Sequence, residues 1–351
     1  MECSTQRGVV TKVRNFPQRQ ELEVLVGQEI VKALNYPELT GPCQLHDQVF
    51  LNTTAQELKL GTGGWHYVFA TLGREHTLGN QGGHIMKLRY TPLQGRVLSV
   101  EEELSPYHTT MGQAQDLKGL VVGVGSLHSM LAPLAWVLHS KLRPLRLVYL
   151  MSDGAALPIA FSKVVTELKR RKLLTTTITF GHAFGGDLEA VNIYSALLAA
   201  KHVAEADLAV VLMGPGVVGT NTTWGTTALE QGVFLNAVLQ LGGIPVAIPR
   251  LSEADQRSRH FGLSHHTKTV LKSIVSSPVW LPLPQRLQNF SQTMGELTQL
   301  KHRIRWEATD EDFAILGQSG LPLTTMGRGL EEDPLFFHGV VATALAMVAL
   351  I

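Results

Sequence analysis

From Leu120 onward the chain repeats one texture, in which short runs of apolar residues alternate with stretches of helical spacing. The apolar runs fall at 120–124, 145–150, 176–180, 208–213, 244–248 and 278–283, and helical patterns occupy 129–141, 157–173, 188–203, 226–241 and 265–276. Such alternation is the signature of βαβ units around a parallel sheet. Because the runs are apolar almost throughout, each strand is expected to be covered on both faces. Crossovers between parallel strands are right-handed, so the helices divide between the two faces of one twisted sheet. The predicted fold is therefore α/β, a mostly parallel, Rossmann-like, doubly wound sheet.

The amino-terminal part reads differently. Residues 8–13, 21–26 and 48–52 are strand-like and are separated by turn signals such as Asn35-Tyr36-Pro37 and Gly41-Pro42. Two further strand-like runs, 65–72 and 85–90, follow glycine clusters. These features predict a small all-β, barrel-like domain over 1–83, with 74–83 as a linker. Residues 84–118 form a connecting segment open to sharing with either part, and 119–351 form the α/β domain. Its last stretch, 335–351, is apolar and follows Glu331-Glu332-Asp333-Pro334. At seventeen residues, with His338 inside it, it falls short of the roughly 20 residues of a membrane span and reads as a buried or interface helix, not a membrane anchor.

Composition narrows the partners. A chain of 351 residues is long enough for two domains with substantial cores. Thirty basic against 29 acidic residues leave a net charge of +1, too little to neutralise a polynucleotide, so no nucleic-acid partner is expected. Only Cys3 and Cys43 occur, and residues 1–20 hold no apolar run, which fits a reducing, cytoplasmic compartment without a signal peptide. Charged residues make up only 17% of the chain and hydrophobic ones 44%, so much surface must be covered, part of it in a homo-oligomer if one forms.

In open parallel sheets, ligands sit beyond the carboxyl ends of the strands. All five loops after the first five predicted strands carry chemistry-bearing residues there: Ser126 and His128; Ser152 and Asp153; His182, Gly185, Gly186 and Asp187; Gly214, Gly216, Gly219 and Thr220; and Arg250, leading to Ser264, His265 and His266. The opposite loops read as ordinary charged surface. The residues therefore define one composite site, with His128, Asp153, His182, Asp187 and His265 as catalytic candidates. Ser126, Ser152, Gly185, Gly186, Gly214, Gly216, Gly219, Thr220 and Arg250 are the candidates for holding the ligand.

Each has an ordinary alternative. Gly214, Gly216 and Gly219 match G-x-G-x-x-G after a strand, which lets backbone approach a phosphate but also makes a tight turn. Asp187 precedes the 188–203 pattern, where it caps a helix or binds metal. Asp153 stands in a turn. A divalent ion is a possible cofactor, with His182, Asp187 and Asp153 as ligands, although the 14 histidines include no H-E-x-x-H. Adjacent His265 and His266 are not expected to face one point on a regular helix. Ser126 and Ser264 lack the G-x-S-x-G elbow of serine hydrolases. Arg250, Arg257 and Arg259 are either surface residues or partners for a carboxylate or phosphate.

Several longer strings stand beside these: Asn35-Tyr36-Pro37, Leu51-Asn52-Thr53-Thr54-Ala55, Leu60-Gly61-Thr62-Gly63-Gly64 and His84-Ile85-Met86-Lys87-Leu88-Arg89-Tyr90-Thr91-Pro92. With the strand-end strings they resemble a bacterial family catalogued as domain of unknown function 3866. The resemblance implies a bacterial, cytoplasmic protein and brings no reaction with it. It also adds His66, Lys87 and Arg89 as candidates, against a packing role for each. The expected function is that of an enzyme, a hydrolase or transferase acting on a small anionic or phosphorylated molecule at the strand carboxyl ends. The alternatives are a non-catalytic nucleotide-binding or sensory protein and a structural oligomer.

Overall fold

A computed structural model describes residues 2–60, 63–75, 77 and 82–351, and of Gln292 the backbone alone. Gly61 and Thr62 of the glycine string, and His76, Leu78, Gly79, Asn80 and Gln81 of the 74–83 linker, lie outside the described residues. The chain divides into two units, Met1–Leu98 and Ser99–Ile351.

In the first unit, Thr5–Asn15 (β1), Gln20–Val26 (β2), Glu29–Asn35 (β3), Gln48–Asn52 (β4) and His66–Thr71 (β5) close a barrel in the order β1-β2-β3-β5-β4. Along β2 the period of two turns Gln20, Leu22 and Val24 inward. Leu22 and Val24 meet Val10, Ala33, Val49, Leu51 and Val68 in the barrel core. Short helices α1 (Pro37–Thr40) and α2 (Thr54–Glu57) lie in the connections, and Ile85–Lys87 (β6) pairs antiparallel with Gly95–Val97 (β7). His66, Lys87 and Arg89 belong to this unit.

The second unit opens with α3 (His108–Gln113) and builds an all-parallel sheet of eight strands. These are β8 (Val121–Gly125), β9 (Leu147–Ser152), β10 (Thr176–Phe180), β11 (Leu188–Ala190), β12 (Leu208–Met213), β13 (Ile244–Ala247), β16 (Trp280–Pro284) and β17 (Arg303–Glu307). A small antiparallel pair, β14 (Leu251–Ser252) and β15 (Gly262–Leu263), stands between β13 and β16. The sheet order is β11-β10-β9-β12-β8-β13-β16-β17.

The central strands send side chains to opposite cores. On β9, Val148 and Leu150 join the layer of α6 (Ile193–His202) and α7 (Glu230–Gln240). Leu147, Tyr149 and Met151 join that of α4 (Leu131–Lys141), α5 (Lys163–Arg170), α10 (Asp310–Gly317) and α11 (Pro334–Ala349). Helix α8 (His265–Thr269), its continuation as a π turn over Val270–Ile274, and α9 (Ser291–Leu297) complete the α6 and α7 side. Connections from β8 and β9 therefore leave toward one face, and those from β12 and β13 toward the other. Neighbouring strands with diverging connections open a crevice at their carboxyl ends, here along β9, β12, β8 and β13.

The apolar carboxyl-terminal stretch is α11, packed on α4 with Leu335, Phe336, Phe337, Val340, Val341 and Met347 buried. Those six side chains contribute on the order of 10 kcal/mol of hydrophobic stabilisation. No helix among the described residues is long and apolar enough to cross a membrane. One helical pattern needs correction: 188–203 begins as strand β11, and Asn192, not Asp187, caps α6 through a capping box with Ser195.

Candidate functional site

At the carboxyl end of β9, the Ser152 hydroxyl donates to Glu230 Oε2 at 3.1 Å. Glu230 opens α7, where the helix N-terminus favours a carboxylate. Burial nevertheless raises its pKa, and the charge of Asp153 pushes the same way. Asp153 in turn accepts the His182 backbone N-H at 2.7 Å. That contact is close because Gly181 takes φ 67°, and a Cβ there would stand 2.4 Å from Asp153 Oδ2. Next on α7, the Gln231 amide donates to the carbonyls of Val124 (2.8 Å) and Ile248 (3.0 Å), tying the ends of β8 and β13 together.

The loop from Gly214 to Thr226 leads from β12 toward the histidines. A Cβ on Gly219 would lie 3.6 Å from His266 Cε1. Two of its amides are already bonded within the loop. The Val218 amide donates to Thr227 Oγ1 and the Thr220 amide to the Gly225 carbonyl, while Thr220 Oγ1 bonds the same carbonyl. Gly214 crosses the Ala156 carbonyl, and Ala156 N donates to Pro215 O. Between the loop, α7 and the π turn lies an open groove of about 470 Å³, lined by Val218, Thr226, Leu229, Glu230 and Ile274 among others. That volume is in the range of small-molecule sites.

Beyond β13, Ser264 caps α8 by accepting the His266 N-H, placing His265 and His266 in the first helical turn. His260 joins them, its Nδ1 2.8 Å from Ser264 Oγ. The ring centroids of His265 and His266 are 4.2 Å apart, and His260 lies 4.9 and 5.0 Å from the two. The expectation that adjacent histidines diverge is thus corrected: in a first turn, free of the preceding turn's crowding, both rings swing toward the β14–β15 corner. Burial, reinforced by neighbouring arginines, lowers all three pKa values, to about 3 for His260 and about 4 for His266.

Arginines and aspartates frame this corner, and of the arginines only Arg250 is buried. Arg250 is 5% exposed and contacts Asp255 at 3.4 Å, which also binds Arg257 at 2.7 Å. Arg328 reaches Asp333 at 3.1 Å. Asp333 accepts from Ser252 Oγ (2.6 Å) and the Glu253 amide (3.0 Å), so the corner is anchored to the start of α11. Desolvation lowers the Arg250 pKa to about 10, which leaves it charged at neutral pH.

Four buried polar atoms along this rim have no hydrogen-bond partner among the described residues: Ser126 Oγ, Gln231 Oε1, His265 Nε2 and His266 Nδ1. Of the residues singled out in the sequence, the structure brings Ser126, Ser152, Asp153, His182, Gly219, Arg250, His265 and His266 to the strand carboxyl ends. It separates others. Asp187 binds the Thr177 amide (2.8 Å), the Thr177 hydroxyl and Lys169, beside the start of β10. Four residue rises, about 13 Å in a strand, separate Thr177 from Gly181. An ion held jointly by Asp153, His182 and Asp187 is therefore ruled out by geometry. His128 is sealed in the core, with one ring nitrogen 3.1 Å from Tyr149 Oη and the other 2.6 Å from Ser162 Oγ, and burial lowers its pKa to about 4. The Gly185 and Gly186 amides are spent on Glu189 Oε1 and Thr179 Oγ1. Glu230, Gln231, Asp255 and His260 went unmarked in the sequence. The signal for the first two was an acid and an amide opening the helix after a glycine-rich loop.

Fold and crevice together define a doubly wound α/β protein with a polar site at the topological switch of its sheet, joined to a small β barrel. The chain belongs to the family of proteins of unknown function DUF3866, whose model matches residues 32–344. Comparison with curated proteins gives no match.

Proposed function

We propose that the protein is an enzyme, a hydrolase or group transferase, that binds a small anionic or phosphorylated molecule along the carboxyl ends of β9, β12, β8 and β13. The observation that carries this reading is the set of four buried, unpartnered polar atoms on the rim. Leaving such a group unsatisfied costs about 1–3 kcal/mol, so four of them beside one crevice favour a polar ligand that completes them. Arg250 supplies fixed positive charge. Glu230, with its raised pKa, is the group suited to carry a proton, and Ser152 positions it.

This reading places the protein in a bacterial cytoplasm, without a nucleic-acid or membrane partner, and leaves a homo-oligomer open to measurement. The test is a thermal-shift screen of phosphate, nucleotides and sugar phosphates, followed by turnover assays on the binders. A ligand at a hundredfold excess over Kd adds about 2.7 kcal/mol. For a unit of this size that raises Tm by about 5–10 °C. Turnover abolished by Glu230→Gln supports the enzyme. Binding with no turnover of any ligand refutes it in favour of a sensory protein, and the absence of any shift favours a structural oligomer.

A further inference from the structure

We propose that His260, His265 and His266 together hold one transition-metal ion of the zinc class, whose remaining coordination position is taken by an anion. The inference deepens the reading of the crevice, and only its anion half rests on that reading. One ring nitrogen from each histidine lies within 4.8 Å of the others, the single such grouping of metal-ligating side chains among the described residues. In a tetrahedral site with Zn–N of 2.0–2.1 Å, ligand nitrogens stand about 3.4 Å apart, so closing the cage takes ring movements of about 1 Å.

The nitrogens are available. His265 Nε2 and His266 Nδ1 are buried with no partner among the described residues, and His266 is 8% exposed. His260, 2% exposed, directs Nδ1 to Ser264 Oγ and so presents Nε2. Such a bond at the second ring nitrogen fixes the ring's tautomer and orientation, as outer partners do for ligating histidines. Ser264 serves twice, since its hydroxyl also accepts the His266 amide and sets the first turn that pairs the two rings. The helix then loosens into a π turn at Val270–Ile274, a distortion frequent at functional sites.

The charge balance specifies the other ligand. None of the three side chains bears a negative charge, and Arg250, Arg257, Arg259 and Lys268 all act on the rings with the same positive sign. Asp255 answers them but is already bonded to Arg257. A dication here stays undercompensated until hydroxide, a carboxylate or a phosphate oxygen binds it. Three histidines with one open position form the donor set of a catalytic zinc site, not a closed structural one. Such an ion polarises a bound oxygen or supplies hydroxide at neutral pH.

The experiment uses the full chain, stripped with a chelator and titrated with Co²⁺ and Zn²⁺. One equivalent of Co²⁺ is expected, with the visible absorption of a four-coordinate ion, displaced by Zn²⁺ and altered by added inorganic phosphate. His265→Ala and His266→Ala should each weaken uptake at least tenfold. His265→Gln replaces the alanine variant if the latter loses its native melt. Asp187→Ala should bind as the parent does. No stoichiometric uptake, or uptake indifferent to His265 and His266, overturns the metal site. If phosphate still raises Tm in that metal-free protein, the anion-binding crevice survives without it. Stoichiometric metal with no spectral response to phosphate sustains the ion and refutes the anion half.

Discussion

Asp333 offers the sharpest test of how the site is held. Its carboxylate is fully buried and accepts from Ser252 Oγ at 2.6 Å, Glu253 N at 3.0 Å and Arg328 Nε at 3.1 Å. Glu253 continues the tie by accepting the Leu335 amide at 2.9 Å, one of the free N-H groups of α11. In Asp333→Ala the three donors lose their acceptor together. Removing one partner of a buried ion pair costs about 3–5 kcal/mol. Arg328 keeps a quarter of its side chain exposed, so water recovers part of its hydration, and the lower end, about 3 kcal/mol, applies. At about 2–4 °C per kcal/mol for a domain of this size, Tm should fall by about 6–12 °C. Asp333→Asn, which keeps one acceptor oxygen, should lose roughly half as much. Calorimetry or circular dichroism of both variants decides the matter. An alanine variant melting within about 2 °C of the parent would mean that the corner does not depend on this carboxylate.

Acid should destabilise the protein through its buried neutral histidines. His128 and His338 titrate near 4 when folded and near 6.5 when unfolded, so their contribution is complete above pH 6.5 and is lost as pH falls toward 4. His128 alone accounts for about 2 kcal/mol between pH 7 and pH 5, readable as a lower urea midpoint, and a flat profile contradicts its burial. Glu230→Gln should lower turnover by about 10²–10⁴-fold while leaving Tm close to the parent's, and full activity would remove Glu230 as the proton carrier. Gly125→Ala should cost about 1–3 kcal/mol in chemical denaturation, because its Cβ would stand 2.6 Å from Leu212 Cδ2 and 2.7 Å from Met130 Sδ. An unchanged midpoint there would show that the end of β8 has slack.

The parallel sheet was legible because strands covered on both faces must be apolar throughout, and every run read from 120 onward corresponds to a strand. The barrel was only half legible. β3 carries Glu29, Lys32 and Asn35 among its apolar residues, and the alternation that would reveal it is weak because only Ala33, Leu34 and Asn35 are buried. β11 and β17 escaped for a related reason. One has three residues, and the other reads Arg-Ile-Arg-Trp-Glu at the sheet edge, where a strand need not be apolar.

The site divides along the same physical line. Position at a strand end follows from local pattern, and Ser152, Asp153, His182, Arg250 and His265 do stand beyond the carboxyl ends of their strands. Which of them meet depends on turns of a few residues, and there the pattern is silent. Asp187 follows a strand end by only seven residues, yet the chain between them doubles back along β10 and returns it to the other side of the sheet. His260 stands ten residues past Arg250, yet the β14–β15 pair folds the intervening segment so that Ser264 and Arg250 share a backbone hydrogen bond at 2.9 Å. Two turns of similar length thus move one candidate away from the crevice and bring an unmarked residue, His260, into it. The difference is set by what each turn can satisfy: Asp187 finds an amide, a hydroxyl and Lys169 at the strand start, whereas His260 finds Ser264 and two imidazoles with nitrogens to spare.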